Sequence, residues 1–202
     1  MFVPKMYQMP ETDVEQFIDE NGFATLISLG DTTPIATHIP LELVHDETGN
    51  RILWGHVAKA NPQWKDFARQ PQVLVIFLSP IHHYISSSWY AQPNAPTWNY
   101  ESVHVYGKLQ IIEGEKLWQS IQQLTDKYEK TSTKPISLNT LPIAVQRQME
   151  GLVGFEISIE KIEASSKLSQ NRTEADRLNI IAELRKLQSP HAHLMAERME
   201  QK

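Results

Sequence analysis

Phe23-Ala-Thr-Leu-Ile-Ser-Leu29, Ile35-Ala-Thr-His-Ile-Pro-Leu-Glu-Leu-Val44 and Arg51-Ile-Leu-Trp-Gly-His-Val57 are three apolar, β-branched runs separated only by Gly30-Asp-Thr-Thr-Pro34 and Asp46-Glu-Thr-Gly-Asn50. Short runs of this kind, bounded by Gly, Asp, Asn and Pro, are strand and turn signals, and three in succession predict an antiparallel meander. Pro40 removes one ladder donor from the second run and predicts an edge or a bulge there.

On either side of the meander the signals stay mostly β. Val14, Phe17 and Ile18 recur at helical spacing between Glu11 and Asn21, and Gly22 is the stop. After His56, Ala58-Lys-Ala-Asn-Pro62 sets Asn at an N-cap and Pro at a first helical position, predicting a short helix that ends near Gln70. Val73-Leu-Val-Ile-Phe-Leu78 is an unbroken apolar strand, expected to be central; Tyr84–Tyr90 continues or pairs with it, and Val103–Ile112 follows as a further strand. Leu117, Ile121, Leu124 and Tyr128 make one stripe of a helix over Glu115–Lys130, Gly154–Ile162 is the last strand, and Arg172–Gln188 is a polar terminal helix. Many short strands with a few added helices define a mainly β, α+β class and a closed or partly closed antiparallel barrel. The βαβ rhythm of a doubly wound sheet is missing, and the eight glycines fit neither a dinucleotide fingerprint nor a nucleotide-triphosphate loop. Any phosphate bound here is therefore held by side chains and by strand or loop amides.

The 202 residues, 41% of them hydrophobic, suffice for one buried core. The absence of cysteine excludes disulfides, thiolate metal sites and a cysteine nucleophile. A net charge of −5 argues against general nucleic-acid binding through the overall field. No basic leader precedes an apolar run at the N-terminus, and no stretch reaches the ~18–20 apolar residues that span a bilayer, so the expectation is a cytoplasmic protein without a membrane. His82 and His83 diverge on a strand, and His191 and His193 lack acidic companions, so no metal site is assigned. Ser86, Ser87 and Ser88 lie in no nucleophile elbow. No catalytic residue is identified.

Ala95-Pro-Thr-Trp-Asn-Tyr-Glu-Ser-Val-His-Val-Tyr-Gly107 packs Trp98, Asn99, Tyr100 and His104 at the entry to a strand. Aromatic faces beside oriented amide and imidazole groups suit a planar, polar-edged ligand, and they suit a subunit interface equally well.

Four tracts in order, Ala36-Thr-His-Ile-Pro-Leu41, Gly55-His-Val-Ala-Lys-Ala-Asn-Pro-Gln-Trp64, Tyr84-Ile-Ser-Ser-Ser-Trp-Tyr90 with Pro96-Thr-Trp-Asn-Tyr-Glu-Ser-Val-His-Val-Tyr-Gly107, and Lys167-Leu-Ser-Gln-Asn-Arg172, resemble the PaiB family of FMN-binding negative transcriptional regulators along essentially the whole chain. The resemblance implies a split β-barrel of antiparallel Greek-key type, FMN as cofactor, and a homodimer with two FMN sites built by both subunits. It divides the chain into a flavin-binding domain over 1–165 and a segment over 166–202 that closes the site edge. One departure is visible: Ser87 stands where the family usually has proline.

Within that frame, Thr37, His38, His56, Lys59 and Asn61 bring hydroxyl, imidazole and ammonium groups, with helix-N-terminal amides, toward a phosphate dianion. Trp98, Asn99 and Tyr100 are expected at the isoalloxazine or ribityl chain, with His104 nearer the interface, and Lys167, Gln170, Asn171 and Arg172 at the site edge. Three functions fit this frame: a regulator that responds to FMN occupancy or redox state, a flavin reductase using reduced nicotinamide, and a heme-handling split barrel. The terminal helix mixes Arg172, Arg177, Arg185 and Lys186 with Glu174, Asp176 and Glu183, a pattern of a solvated face that lends no support to direct DNA binding.

Overall fold

The meander runs form β1 (Phe23–Leu29), β2 (Pro34–His45) and β3 (Arg51–Ala58) in a computed structural model that describes residues 1–201. The turn between β2 and β3 is built by Asp46, whose Oδ1 accepts from the Thr48 and Asn50 amides, both at 2.9 Å, while Gly49 takes a φ of +84°. Pro40 lies where β2 changes partners: residues 34–40 pair with β1, and pairing with β3 starts at Leu41↔Gly55. A residue without an N–H costs least at such a hand-over, which is why the strand tolerates it.

Helix α1 (Glu11–Glu20) precedes the meander. The strands β4 (Gln72–Leu78), β5 (His83–Ile85), β6 (Thr97–Ile112) and β7 (Leu152–Lys167), with helices α2 (Gly114–Glu129), α3 (Ile143–Gln146), α4 (Glu174–Lys186) and α5 (Pro190–Glu200), complete the chain. The strand order is β4-β1-β2-β3-β7-β6-β5, and an additional β4–β6 pairing closes six of the strands into an antiparallel barrel with β5 appended. This is the closed antiparallel barrel of an α+β protein that the strand pattern predicts, in the split form that the family resemblance implies.

Several element bounds differ from expectation. The Tyr84–Tyr90 strand is only His83–Ile85, and Ser87–Trp89 is a 3-10 turn in which Ser86 Oγ accepts from the Ser88 amide at 3.3 Å. The tract expected ahead of a strand at Val103 is itself strand, because β6 begins at Thr97. The expected helix after Asn61 is a five-residue 3-10 turn, Pro62–Asp66. The terminal helix stops at Lys186, and α5 follows it, opened by Pro190 and by Ser189, whose Oγ accepts from the Ala192 amide at 3.4 Å.

The chain divides into two compact units. One comprises Met1–Phe17, Phe77–His104 and the segment from Glu163 onward; the other comprises Ile18–Ile76 and Val105–Ile162. In the first, Ile85, Tyr90 and Leu168 join Ile180, Ile181 and Leu184 of α4 and Ala192, Met195, Ala196 and Met199 of α5 in one apolar cluster. In the second, Leu26, Leu41, Leu53, Phe67, Phe155 and Ile157 are almost wholly buried. Alternation along β1 and β4 turns Phe23, Ile27, Leu29, Leu74 and Ile76 away from that core, and Phe23 stays 69% exposed.

Helix α5 is fastened to β6 by charge as well as by packing. Arg198 Nε donates to Glu101 Oε2 at 2.6 Å and its Nη2 to Oε1 at 3.2 Å, while Ser166 Oγ donates to the same Oε1 at 2.7 Å. Arg198→Met keeps the stem and strands the buried carboxylate, a change that costs about 3–5 kcal/mol. Urea unfolding is expected to show a loss of that size, and a loss below ~1 kcal/mol would mean the pair is dispensable.

Candidate functional site

The chemistry of β6 is sorted by its pleat. Successive side chains of a strand point to opposite faces, and residues 97–109 alternate accordingly except at Ser102: Asn99, Glu101, Val103, Val105, Gly107 and Leu109 are buried, while Trp98, Tyr100, His104 and Tyr106 are partly or largely exposed, and Ser102 on their face is buried with its Oγ donating to the Phe77 carbonyl at 3.1 Å. Trp98 and Tyr100 therefore share one face and Asn99 takes the other. Asn99 is fully buried, its Oδ1 accepting from Ser169 Oγ at 3.1 Å and its Nδ2 donating to Met199 Sδ at 3.4 Å. It is an anchor, and the expected triplet of ligand contacts reduces to the two rings.

Trp98 is 52% exposed, with the Tyr84 ring edge-on at 5.9 Å and the His82 ring tilted at 6.1 Å. Tyr84 is its cross-strand partner. Three rings held by one another at the surface form a rigid face for a planar ligand. His104 lies on the same face of β6. Its Nδ1 is buried with no hydrogen-bond partner among the described residues. Burial lowers its pKa, the N-terminal ammonium lowers it further, and Glu163 opposes both. An orphaned ring nitrogen beside exposed aromatic faces is a polar group awaiting a partner.

The second set lies in the other compact unit. Thr37 Oγ1 donates to Gln63 Oε1 at 2.5 Å and accepts from Asn61 Nδ2 at 3.0 Å. Asn61 Oδ1 in turn accepts from the Gln63 amide at 3.0 Å, and the fully buried Gln63 donates to Ser28 Oγ at 2.9 Å. Thr37 and Asn61 are brought together, as expected, but in a closed network that fixes the turn at Pro62. The short turn offers no helix N-terminus, since Asn61 already occupies the Gln63 amide. His38, the next residue on β2, projects from the opposite face and is exposed, 2.9 Å from Thr25 Oγ1 through Nδ1. His56 is half-buried on β3, and burial lowers its pKa, so it is a neutral imidazole at neutral pH. Lys59 follows β3. Its amide donates to the Gly151 carbonyl at 2.7 Å and its carbonyl accepts from Trp64 Nε1 at 2.9 Å, so the backbone is fixed. Its side chain is exposed, with no carboxylate partner among the described residues.

The Lys167–Arg172 tract is a buried bend. Ser169 adopts a φ of +60°, a conformation rare for a non-glycine residue, and its hydroxyl is tied to Asn99. Gln170 is occupied: its Oε1 accepts from the Leu168 amide at 2.7 Å, and its Nε2 donates to the carbonyls of Ser166 at 2.5 Å and Met6 at 3.1 Å. Lys167 donates to Thr97 Oγ1 and lies 5.6 Å over the Tyr7 ring. Arg172 lies 5.0 Å over the Tyr90 ring, and Asn171 is exposed. Sequence reasoning missed Glu101, Ser166, Ser169, Gln63 and Arg198. The only early signal was that Asn99 and Glu101 are polar residues at alternate positions of a strand.

Residues 1–161 match the family model described as "Putative FMN-binding domain". The chain is 41% identical over 204 residues to the Protease synthase and sporulation protein PAI 2 of Bacillus subtilis, covering 100% of this chain and 98% of that one. Among solved structures, it is similar to an FAD and heme binding protein from Mycobacterium smegmatis (TM-score 0.63, 14% identity, 81% of this chain and 74% of that one). It is also similar to the flavocytochrome Anf3 of Azotobacter vinelandii (TM-score 0.59, 15% identity, 86% and 75%). The two structures share the split-barrel fold. The chain belongs to the PaiB-like family of FMN-binding proteins. The residues present fit such a cofactor: an ammonium with no carboxylate beside it, exposed ring faces and an orphaned imidazole nitrogen.

Both depressed histidines carry a pH signature. In the unfolded chain His56 and His104 titrate near 6.5, whereas burial keeps them neutral in the folded state at lower pH. On acidification through that window the unfolded state takes up protons that the folded state refuses, so stability falls as pH drops. The thermal midpoint is expected to fall between pH 7.5 and 5, and the His56→Gln/His104→Gln protein to show a shallower fall. An unchanged slope would assign the acid sensitivity to other groups.

Proposed function

We propose that this protein is an FMN-binding negative transcriptional regulator, acting as a cytoplasmic homodimer whose flavin occupancy or redox state alters its contact with a partner. The observation that carries this reading is the 41% identity, over the full length, to a protein named for protease synthesis and sporulation. Among the described residues no helix is long and apolar enough to cross a membrane. The outward apolar face of β1 and β4, with Phe23 69% and Leu29 51% exposed, supports the dimer, because a contiguous apolar sheet face is unfavourable in water.

In this reading each of two sites draws on both subunits. One subunit supplies Lys59, His56 and His38 to the phosphate; the other supplies Trp98 and Tyr100 to the ring, with His104 Nδ1 finding its missing partner at a polar edge. The neutral His56 donates one N–H, and Lys59 supplies the positive charge. When bound, FMN supplies the electron chemistry. The cations of α4 are engaged within the chain: Arg177 Nη2 donates to the Met199 carbonyl at 2.7 Å, Arg185 pairs with Glu200 at 2.7 Å, and Lys186 with Glu183 at 2.6 Å. This supports an indirect effect on transcription over reading of DNA by that helix.

Lys59→Ala is expected to weaken FMN by about ten- to a hundredfold while riboflavin, which lacks the dianion, binds nearly as before. Equal losses for the two flavins, read by fluorescence quenching, would move the phosphate elsewhere. In stopped flow, reduced nicotinamide is expected to reduce the bound FMN slowly and without saturation. Rapid, saturable reduction followed by many turnovers with a defined acceptor would make the protein an oxidoreductase.

A further inference from the structure

Lys167 and Arg172 are two cations without an anion. Neither forms a salt bridge with a carboxylate among the described residues, although more exposed cations of the same compact unit do, Arg185 with Glu200 and Lys186 with Glu183. Each is held in place by an aromatic ring, Lys167 over Tyr7 at 5.6 Å and Arg172 over Tyr90 at 5.0 Å. Thr97 Oγ1 accepts from the Lys167 ammonium and fixes its direction. Between them the chain makes the Ser169 bend, whose positive φ and buried hydroxyl hold the two cations in a fixed relation. Tyr90 is 8% exposed, and its hydroxyl is buried without a hydrogen-bond partner among the described residues.

We propose that Lys167, Arg172 and the Tyr90 hydroxyl form a second anion site, which takes the phosphate of a small molecule other than FMN. Two positive charges match a phosphate monoester dianion. The phenol is a donor of a kind that phosphate oxygens accept, and a buried donor left unmet is destabilising until a ligand meets it. Burial and the neighbouring Arg172 both lower the Lys167 pKa, the mark of a cation short of counter-charge. The site goes beyond the proposed function: it takes a phosphate other than that of FMN, for which Lys59 is the assigned cation.

The test is equilibrium dialysis of radiolabelled inorganic phosphate against the full chain in three states: flavin-free, riboflavin-loaded and FMN-loaded. Saturable binding in all three is expected, weakened at least tenfold by Arg172→Gln and by Lys167→Met. Tyr90→Phe, which keeps the ring under Arg172, is expected to weaken it about threefold, with the thermal midpoint showing that the variant is folded. Binding to the flavin-free and riboflavin-loaded protein but not to the FMN-loaded protein would mean that these cations hold the FMN phosphate, and would overturn the proposal. Absence of saturable binding in every state, or binding indifferent to Arg172→Gln, would overturn it as well. A failure to bind any flavin would sink the FMN reading alone, because the flavin-free arm stands by itself.

Discussion

A carboxylate buried in the middle of a strand must find its counter-charge inside the fold, and Glu101 finds it on a helix 97 residues away. Desolvating a carboxylate and a guanidinium is costly, and their attraction offsets that cost only when geometry is good and the remaining lone pairs are met. Both conditions hold: Arg198 reaches both oxygens, and Ser166 donates to one of them. Asn99, two residues earlier on the same face, is held by Ser169 and Met199. These contacts commit one face of the first half of β6 to the α4–α5 cluster. The pleat then leaves Trp98 and Tyr100 no direction but outward.

The outward rings are consequences of that anchoring. Trp98 stays half exposed because its strand neighbours are fixed from behind, and Tyr84 and His82 steady it from the side. A face made this way is rigid before any ligand arrives, which lowers the entropy cost of binding. In the other unit the same economy operates through Gln63, a buried amide that uses Thr37, Asn61 and Ser28 to hold the turn before Trp64. Lys59, just ahead of that turn, has a pinned backbone and an exposed ammonium with no carboxylate partner among the described residues, a combination suited to meeting a phosphate.

Much of the fold was legible in the sequence because the signals were local. The meander, the central apolar strand and the α2 stripe are all set by residues within a few positions of one another. What was not legible depends on distant partners. Alternation along Thr97–Ile112 announces a half-buried strand, but Asn99 is expected beside Trp98 and Tyr100 at the flavin, because Ser169 and Met199 lie 70 and 100 residues away from the Asn99 they bury. Thr37 follows the same rule: a hydroxyl near a basic cluster suits a phosphate, and only the fold shows Gln63 and Asn61 bonded to it. Helix α5 carries a weak apolar signal in the sequence, because its buried side is made of the small and flexible Ala192, Met195, Ala196 and Met199.

Adjacent residues of β6 give the most direct test of this division of labour. Flavin affinity and thermal midpoint are to be measured for Trp98→Ala and for Asn99→Ala, two changes one residue apart on opposite faces of a strand. The account predicts opposite signatures: Trp98→Ala lowers flavin affinity about fivefold or more and leaves the midpoint nearly unchanged, while Asn99→Ala lowers the midpoint by several degrees and leaves the affinity of the folded protein intact. The two variants behaving alike, whether both fail to fold or both lose flavin from an intact fold, would contradict it.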